Sequence, residues 1–244
     1  MTREVSGRPR SWRPALLGGL AGLGLLGIAG LPLAPVSAEE AGRRLPEAAS
    51  RAQEAGGLRT ATLAGGCFWG VQGVFQHVKG VTQAVSGYAG GTKASATYEA
   101  VGTGRTGHAE VVRITYDPAV IRYDELLRIF FSVALDPTQV NRQGPDVGPQ
   151  YRSAVFPDGA EQARVAGAYI AQLDAAGAFG KPIATRIETG ATFYPAEGYH
   201  QDYMTLHPTN AYIAAHDLPK LRDLKALFPE QANPQPVLVG KPRA

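Results

Sequence analysis

The 244-residue chain has a single cysteine, Cys67, so it can form no intramolecular disulfide. Its five histidines, His77, His108, His200, His207 and His216, form no His-x-x-x-His pair, and there is no Cys-x-x-Cys, so no metal site is expected. No internal repeat or second composition regime divides the chain, and one domain is the default. No clean apolar run reaches the ~20 residues of a spanning helix. The longest stretch, Ala15 to Leu33, is broken by glycines and Pro32.

What stands at the N-terminus instead has the layout of an export signal. Arg3, Arg8, Arg10 and Arg13 precede that stretch, and Ala34-Pro-Val-Ser-Ala38 supplies small residues for cleavage. No adjacent Arg-Arg pair occurs there, which disfavours the twin-arginine route. The segment carries four Arg and one Glu, which is the whole of the formal +3, so the basic pI of about 9.0 says nothing about nucleic acid. The expected organisation is a signal peptide over 1–38, a polar leader over 39–57 and a catalytic domain over 58–244. The expected location is exported, periplasmic or extracellular, with a membrane anchor if the signal stays attached.

Periodicity gives the elements of the domain. Leu58 to Ala64 alternates as a strand and ends at Gly65-Gly66; Val71, Val74, Phe75 and Val78 then recur at helical spacing up to Lys79-Gly80. Val81 to Tyr88 is a second strand, followed by a loop carrying Tyr98. Glu110 to Tyr116 is the clearest strand, with Glu110, Val112, Ile114 and Tyr116 on one face. Tyr123 to Leu135 has the apolar stripe of a helix packed on a sheet. Asp136 to Gln150 reads as a long functional loop. Arg152 to Phe156 is a strand, Asp158 caps a helix through Ala176, Ile183 to Glu188 is another strand, and the rest is helical or irregular. Without a strict βαβ repeat, this points to an α+β two-layer sandwich. The sheet is expected to be mixed and partly antiparallel under a helical cover, with a ferredoxin-like core and a long C-terminal coil with helices.

Cys67 falls at the start of the first helix, where unpaired amides favour thiolate. Gly65 and Gly66 let backbone and substrate approach closely. Phe68 and Trp69 are either the wall of a pocket for a small apolar group or core residues.

Gly66-Cys-Phe-Trp-Gly70 closely resembles the active-site motif of the A-class peptide methionine sulfoxide reductases. The resemblance continues through Gly87-Tyr-Ala-Gly-Gly91, Thr97-Tyr98, Thr106-Gly-His-Ala-Glu110, Asp136-Pro-Thr-Gln139, Asn141-Arg-Gln-Gly144 and Gln150-Tyr-Arg-Ser153, in the family's order. It implies a peptide-methionine (S)-S-oxide reductase, a protein-repair enzyme acting against oxidative stress. Cys67 would attack the sulfoxide sulfur, Glu110 would protonate its oxygen, and Tyr98 and Tyr151 would hydrogen-bond that oxygen. Phe68 and Trp69 would hold the methyl, and Asp146 would position the substrate. The acid must be protonated near neutral pH, and desolvation of Glu110 would achieve that; a carboxylate at a sheet edge paired with Arg is the competing reading. Attack leaves a sulfenic acid on Cys67. With no second cysteine, reduction needs an external thiol such as thioredoxin, glutaredoxin or glutathione, and no bound cofactor. The resemblance implies a monomer acting on oxidised proteins and on free methionine sulfoxide.

The chain departs from the family's pattern at Gln72, Leu135 and Gly198, where Glu, His and Asp are common, and local polar contacts should be lost there. Gly102-Thr-Gly-Arg-Thr-Gly107 spells a dinucleotide fingerprint but precedes a strand, the wrong context. His108 could orient Glu110 or cap a strand. A Cys-His hydrolase is the rival enzyme class, since a histidine brought near Cys67 would make a nucleophile pair. A module binding methionine-rich partners is the non-enzymatic alternative.

Overall fold

The computed structural model describes residues 42–239. The expected signal peptide lies outside the described residues. The strand β1 (Arg59–Gly65) leads into helix α1 (Phe68–Gln76) and strand β2 (Val81–Ala89); a short helix α2 (Tyr98–Gly102) precedes strand β3 (Ala109–Tyr116). Helix α3 (Tyr123–Ile129) continues as a wide π turn over Phe130–Ala134. A two-residue hairpin, β4 (Arg142–Gln143) and β5 (Asp146–Val147), then leads to strand β6 (Ser153–Phe156). Helix α4 (Ala160–Ala175), strands β7 (Arg186–Ile187) and β8 (Phe193–Pro195), helix α5 (Tyr203–Leu206), a second π turn over Ile213–Asp217 and helix α6 (Leu218–Leu227) complete the order.

The six-stranded sheet runs β7-β6-β1-β3-β2-β8. Only β6 and β7 pair in parallel. Its four inner strands, with α1 between β1 and β2 and α3 between β3 and β6, make the expected ferredoxin-like pattern, and the sheet is mixed as expected. Alternation decides the layers. Leu63, Val112, Ile114 and Tyr88 face the main core with Val71, Val74 and Phe75 of α1, Leu126 and Leu127 of α3, and Val165 and Tyr169 of α4. The opposite face holds a small cluster around Val111, Ala154 and Phe156, against which Phe193 packs. Helices thus cover one face, the arrangement of a two-layer sandwich.

Several boundaries differ from expectation. Helix α1 stops at Gln76, because Val78 pairs with Ala232 across an isolated bridge and leaves the helical path. Tyr98 opens α2 and does not lie in a loop, with the Thr97 hydroxyl accepting from the Ala100 amide. Asp158 does not cap α4; Gly159 does, at φ 98°, while the Asp158 carboxylate accepts from the Thr60 hydroxyl. The strand expected over Ile183 to Glu188 shrinks to β7, and β8 stands in a stretch expected to be helical or irregular.

Residues 42–57 of the leader lie along the helical layer. Leu45, Ala48 and Ala52 are buried, the Ala52 amide donates to Asp124 Oδ1 at 3.0 Å, and Glu54 accepts from the Tyr116 hydroxyl and the Tyr123 amide.

Candidate active site

The Asp136–Gln150 segment packs on the turn that opens α1. Gly66 takes φ +85° between β1 and the helix, and a Cβ there would stand 2.4 Å from Gln143 Cβ, so only glycine lets the Asp136–Gln150 segment close over this turn. Gln143 seats that segment: its side-chain amide accepts from the Asp136 amide at 3.1 Å and donates to the Asp136 carbonyl at 3.2 Å. Cys67 occupies the N-cap of α1 and stays partly exposed.

Glu110 lies beside it. The carboxylate is 3 % exposed, on a strand paired on both sides, and its Oε2 accepts from the Phe68 amide at 3.0 Å. Neither the sheet edge nor an arginine partner of the competing reading is found: no ion pair to Glu110 occurs among the described residues. Burial pushes its pKa up to about 8, the Phe68 amide opposes that, and Asp146 and Asp217 add to it. Glu110 is therefore an acid that keeps its proton at neutral pH.

The thiol does not follow the expectation drawn from its helix position. Burial raises the Cys67 pKa well above 9.0, and the charges of Glu110 and Asp217 raise it further; the Trp69 amide and Lys220 only partly offset this. In the free protein the group is a thiol, because local amides are outweighed by desolvation and neighbouring acids.

Tyr98 and Tyr151 feel the same charges. Both hydroxyls are held above the usual phenol range, first by burial and then by Glu110, with Cys67 and Asp146 contributing. Tyr98 is held by Glu197, whose Oε1 accepts from the Tyr98 amide at 2.9 Å while its Oε2 accepts from the Tyr88 hydroxyl at 2.9 Å. Tyr151 ends a 3-10 turn over Pro149–Tyr151. Asp146, on β5, accepts from the hydroxyl of Tyr212.

Phe68 and Trp69 separate. Phe68 is 1 % exposed and belongs to the main core, packed on Tyr88 and on His200 at ring distances of 5.8 and 5.0 Å. Trp69 is half-buried at the surface of the site, stacked on Tyr203 at 4.0 Å, met edge-on by Tyr212, and hydrogen-bonded from Nε1 to His200 Nδ1 at 3.1 Å.

The comparisons with known proteins agree with this arrangement. A family model described as peptide methionine sulfoxide reductase matches residues 59–232. The chain belongs to the peptide methionine sulfoxide reductase family. It is 62 % identical to peptide methionine sulfoxide reductase MsrA 2 of Mesorhizobium japonicum over 75 % of this chain and 94 % of that one. It is 51 % identical to MsrA 2 of Synechocystis sp. over 73 % of this chain and 84 % of that one. Among solved structures, methionine sulfoxide reductase A of Corynebacterium diphtheriae aligns with a TM-score of 0.53 at 36 % identity, covering 62 % of this chain and 76 % of that one. The reduced form of Mxr1 from Saccharomyces cerevisiae aligns at 0.56 and 33 %, covering 65 % and 91 %. This reductase is an oxidoreductase that reduces methionine sulfoxide.

The hydrolase alternative is not supported. All five histidines are described, and none hydrogen-bonds Cys67: His108 accepts from the Gly91 amide and meets the Thr92 carbonyl, His77 meets the Gly73 carbonyl, and His200 serves Trp69. Those bonds also show that His108 holds the turn before α2 to β3 and does not orient Glu110. The departure at Gln72 costs this reductase no polar contact. Gln72 donates to the Ala84 carbonyl and Gln201 Oε1 and accepts from the Asp202 amide.

Three residues at the site carried no readable signal. Tyr212, Asp217 and Lys220 come from the C-terminal stretch that lacks clear periodicity. Asp217 is fully buried, its Oδ1 3.1 Å from Lys220 Nζ, and it presses on α1 so closely that a Cβ at Gly70 would meet that oxygen at 2.1 Å. Among the described residues no cluster of three or more His, Cys, Asp or Glu could hold a metal ion.

Proposed function

We propose that Cys67 is the nucleophile and Glu110 the acid in the reduction of the S epimer of methionine sulfoxide, in proteins and as the free amino acid. The carrying observation is the bond from the Phe68 amide to Glu110 Oε2, which ties a buried, protonated carboxyl to the residue next to the thiol. Tyr98 and Tyr151 donate to the sulfoxide oxygen and raise the electrophilicity of its sulfur. Trp69 receives the methyl with Phe68 behind it, Gly66 leaves room for the substrate, and Asp146, held by Tyr212, positions its backbone.

Glu110 gives its proton to the sulfoxide oxygen as Cys67 sulfur attacks, and the thiol proton returns to Glu110. The oxygen passes to Cys67. Methionine leaves reduced by two electrons, and Cys67 is oxidised to the sulfenic acid. Two equivalents of an external thiol then restore it, releasing water and a disulfide; thioredoxin, glutaredoxin and glutathione are donors of the right chemistry.

A single-turnover assay with blocked methionine sulfoxide, resolved by epimer and run on the full chain without reductant, tests this. One equivalent of methionine from the S epimer, with sulfenic acid on Cys67 and none from Cys67→Ser, is expected. Methionine from Cys67→Ser at the wild-type level would overturn it.

We further propose that the protein works as an exported monomer after removal of residues 1–38. N-terminal sequencing of the secreted protein should begin at Glu39, and sedimentation should give one chain per particle.

A further inference from the structure

Beside the groups that would hold the sulfoxide oxygen, an opening reaches Cys67. A cavity of about 70 Å³ touches Cys67; its wall contains none of Glu110, Tyr98, Tyr151, Phe68 or Trp69, and it shares Asp146 and Tyr212 with the end of the site that would hold the substrate's backbone. Arg43, Leu135, Gln143, Ala215 and Lys220 help form it instead. Two of its sides are the π turns at Phe130–Ala134 and Ile213–Asp217, irregularities of a kind often found at functional sites. The volume admits several water-sized groups, enough for the end of a small thiol.

We infer that this cavity is the entrance through which a low-molecular-weight thiol, after methionine has left, reduces the oxidised Cys67 along a wall free of the groups assigned to the sulfoxide oxygen, Glu110, Tyr98 and Tyr151. The inference rests on the sulfenic-acid reading proposed above. Thiolate attack on a sulfenic sulfur is an in-line displacement, so the incoming sulfur must arrive away from the S–O bond that breaks. An oxygen delivered from the Glu110, Tyr98 and Tyr151 side leaves that approach to the wall formed by Arg43, Leu135, Ala215 and Lys220. Arg43 and Lys220, the latter ion-paired with the buried Asp217 and 18 % exposed, put cations on this wall, and the carboxylates of Asp136 and Asp146 also line it.

The step balances. The donor thiolate forms an S–S bond to Cys67 as the S–O bond breaks, and the oxygen leaves as water after taking up two protons, one of them its own. A second donor thiolate attacks the donor sulfur of that mixed disulfide and frees Cys67, which takes up a proton. Two donor thiols are oxidised to one disulfide.

Ala215 is exposed on the second π turn and lies outside the sulfoxide site, which makes it the position to test. In Ala215→Trp of the full chain, the methionine burst without reductant should stay at one equivalent. The rate constant for 2-mercaptoethanol with the sulfenic form should fall by roughly tenfold or more. Ala215→Glu, a polar exposed change, should slow the same step by repelling the thiolate, and it decides the matter if the Trp variant does not fold. An unchanged thiol rate in the folded variants overturns the entrance. Slowed reduction by thioredoxin with unchanged reduction by 2-mercaptoethanol also overturns it, in favour of a protein donor. Loss of the burst in the wild type would instead sink the sulfenic-acid reading itself.

Discussion

The Phe68 amide donates to Glu110 Oε2 at 3.0 Å, so the first turn of α1 is bonded to the central strand β3 through a buried carboxyl whose acidity is shifted up to about 8. One free amide of the helix N-terminus therefore serves the carboxyl. The thiol is left with the Trp69 amide, and burial outweighs it.

Because Glu110 is pushed up to about 8, the donor form predominates at neutral pH and is lost as pH rises through that value. Cys67 stays a thiol over the same range. The methionine burst rate at low substrate should be flat near neutrality and fall above about pH 8. Glu110→Gln should lower it by about 10²–10⁴-fold and abolish that fall. Rapid-quench kinetics across pH check both.

The same shift acts on stability. Between the ordinary carboxyl value of 4.5 and about 8, the unfolded chain has released the Glu110 proton while the folded protein keeps it. Stability then falls with rising pH across that window and levels off above it. Glu110→Gln should therefore exceed the wild type by a few kcal/mol near pH 9 and match it near pH 4. Urea titrations at the two pH values measure this.

A thiol held well above 9.0 alkylates slowly. Iodoacetamide should modify Cys67 about tenfold or more slowly than free cysteine near pH 8. Intact-mass time courses give the rate, and a value equal to that of free cysteine would contradict the burial argument.

Tyr98→Phe and Tyr151→Phe should each lower the burst rate by about tenfold or more, through loss of a donor to the sulfoxide oxygen. The double variant should lose more than either alone. Thermal melting should hardly change for Tyr98, which is 39 % exposed.

Gly70→Ala would drive a methyl into Asp217 Oδ1 at 2.1 Å and displace the Asp217–Lys220 pair from α1. A loss of about 1–3 kcal/mol is expected from overpacking. Denaturant midpoints compare it with Gly102→Ala, where a Cβ would meet nothing within 4 Å.

Much of this was legible along the chain. Alternation in β1, β2 and β3, the helical stripe of α1 and α3, and Gly65-Gly66 before Cys67 are local signals; the register shift between Val81 and Gln83 of β2 is set only by its pairing with β3. The strand β8 was not legible, since three residues carry no period and Phe193–Pro195 is a strand only because β2 has a free edge to pair. Asp217 carries no local signal of burial; docking of its segment onto Gly70 buries it. The acidity of the site shows the division most clearly. Residue order puts Cys67 at a helix N-terminus, which by itself lowers a thiol pKa. The tertiary structure desolvates the sulfur and brings Glu110 and Asp217 to it from β3 and from the second π turn. It thereby reverses the sign of the shift, because desolvation and through-space charge depend on neighbours distant in sequence.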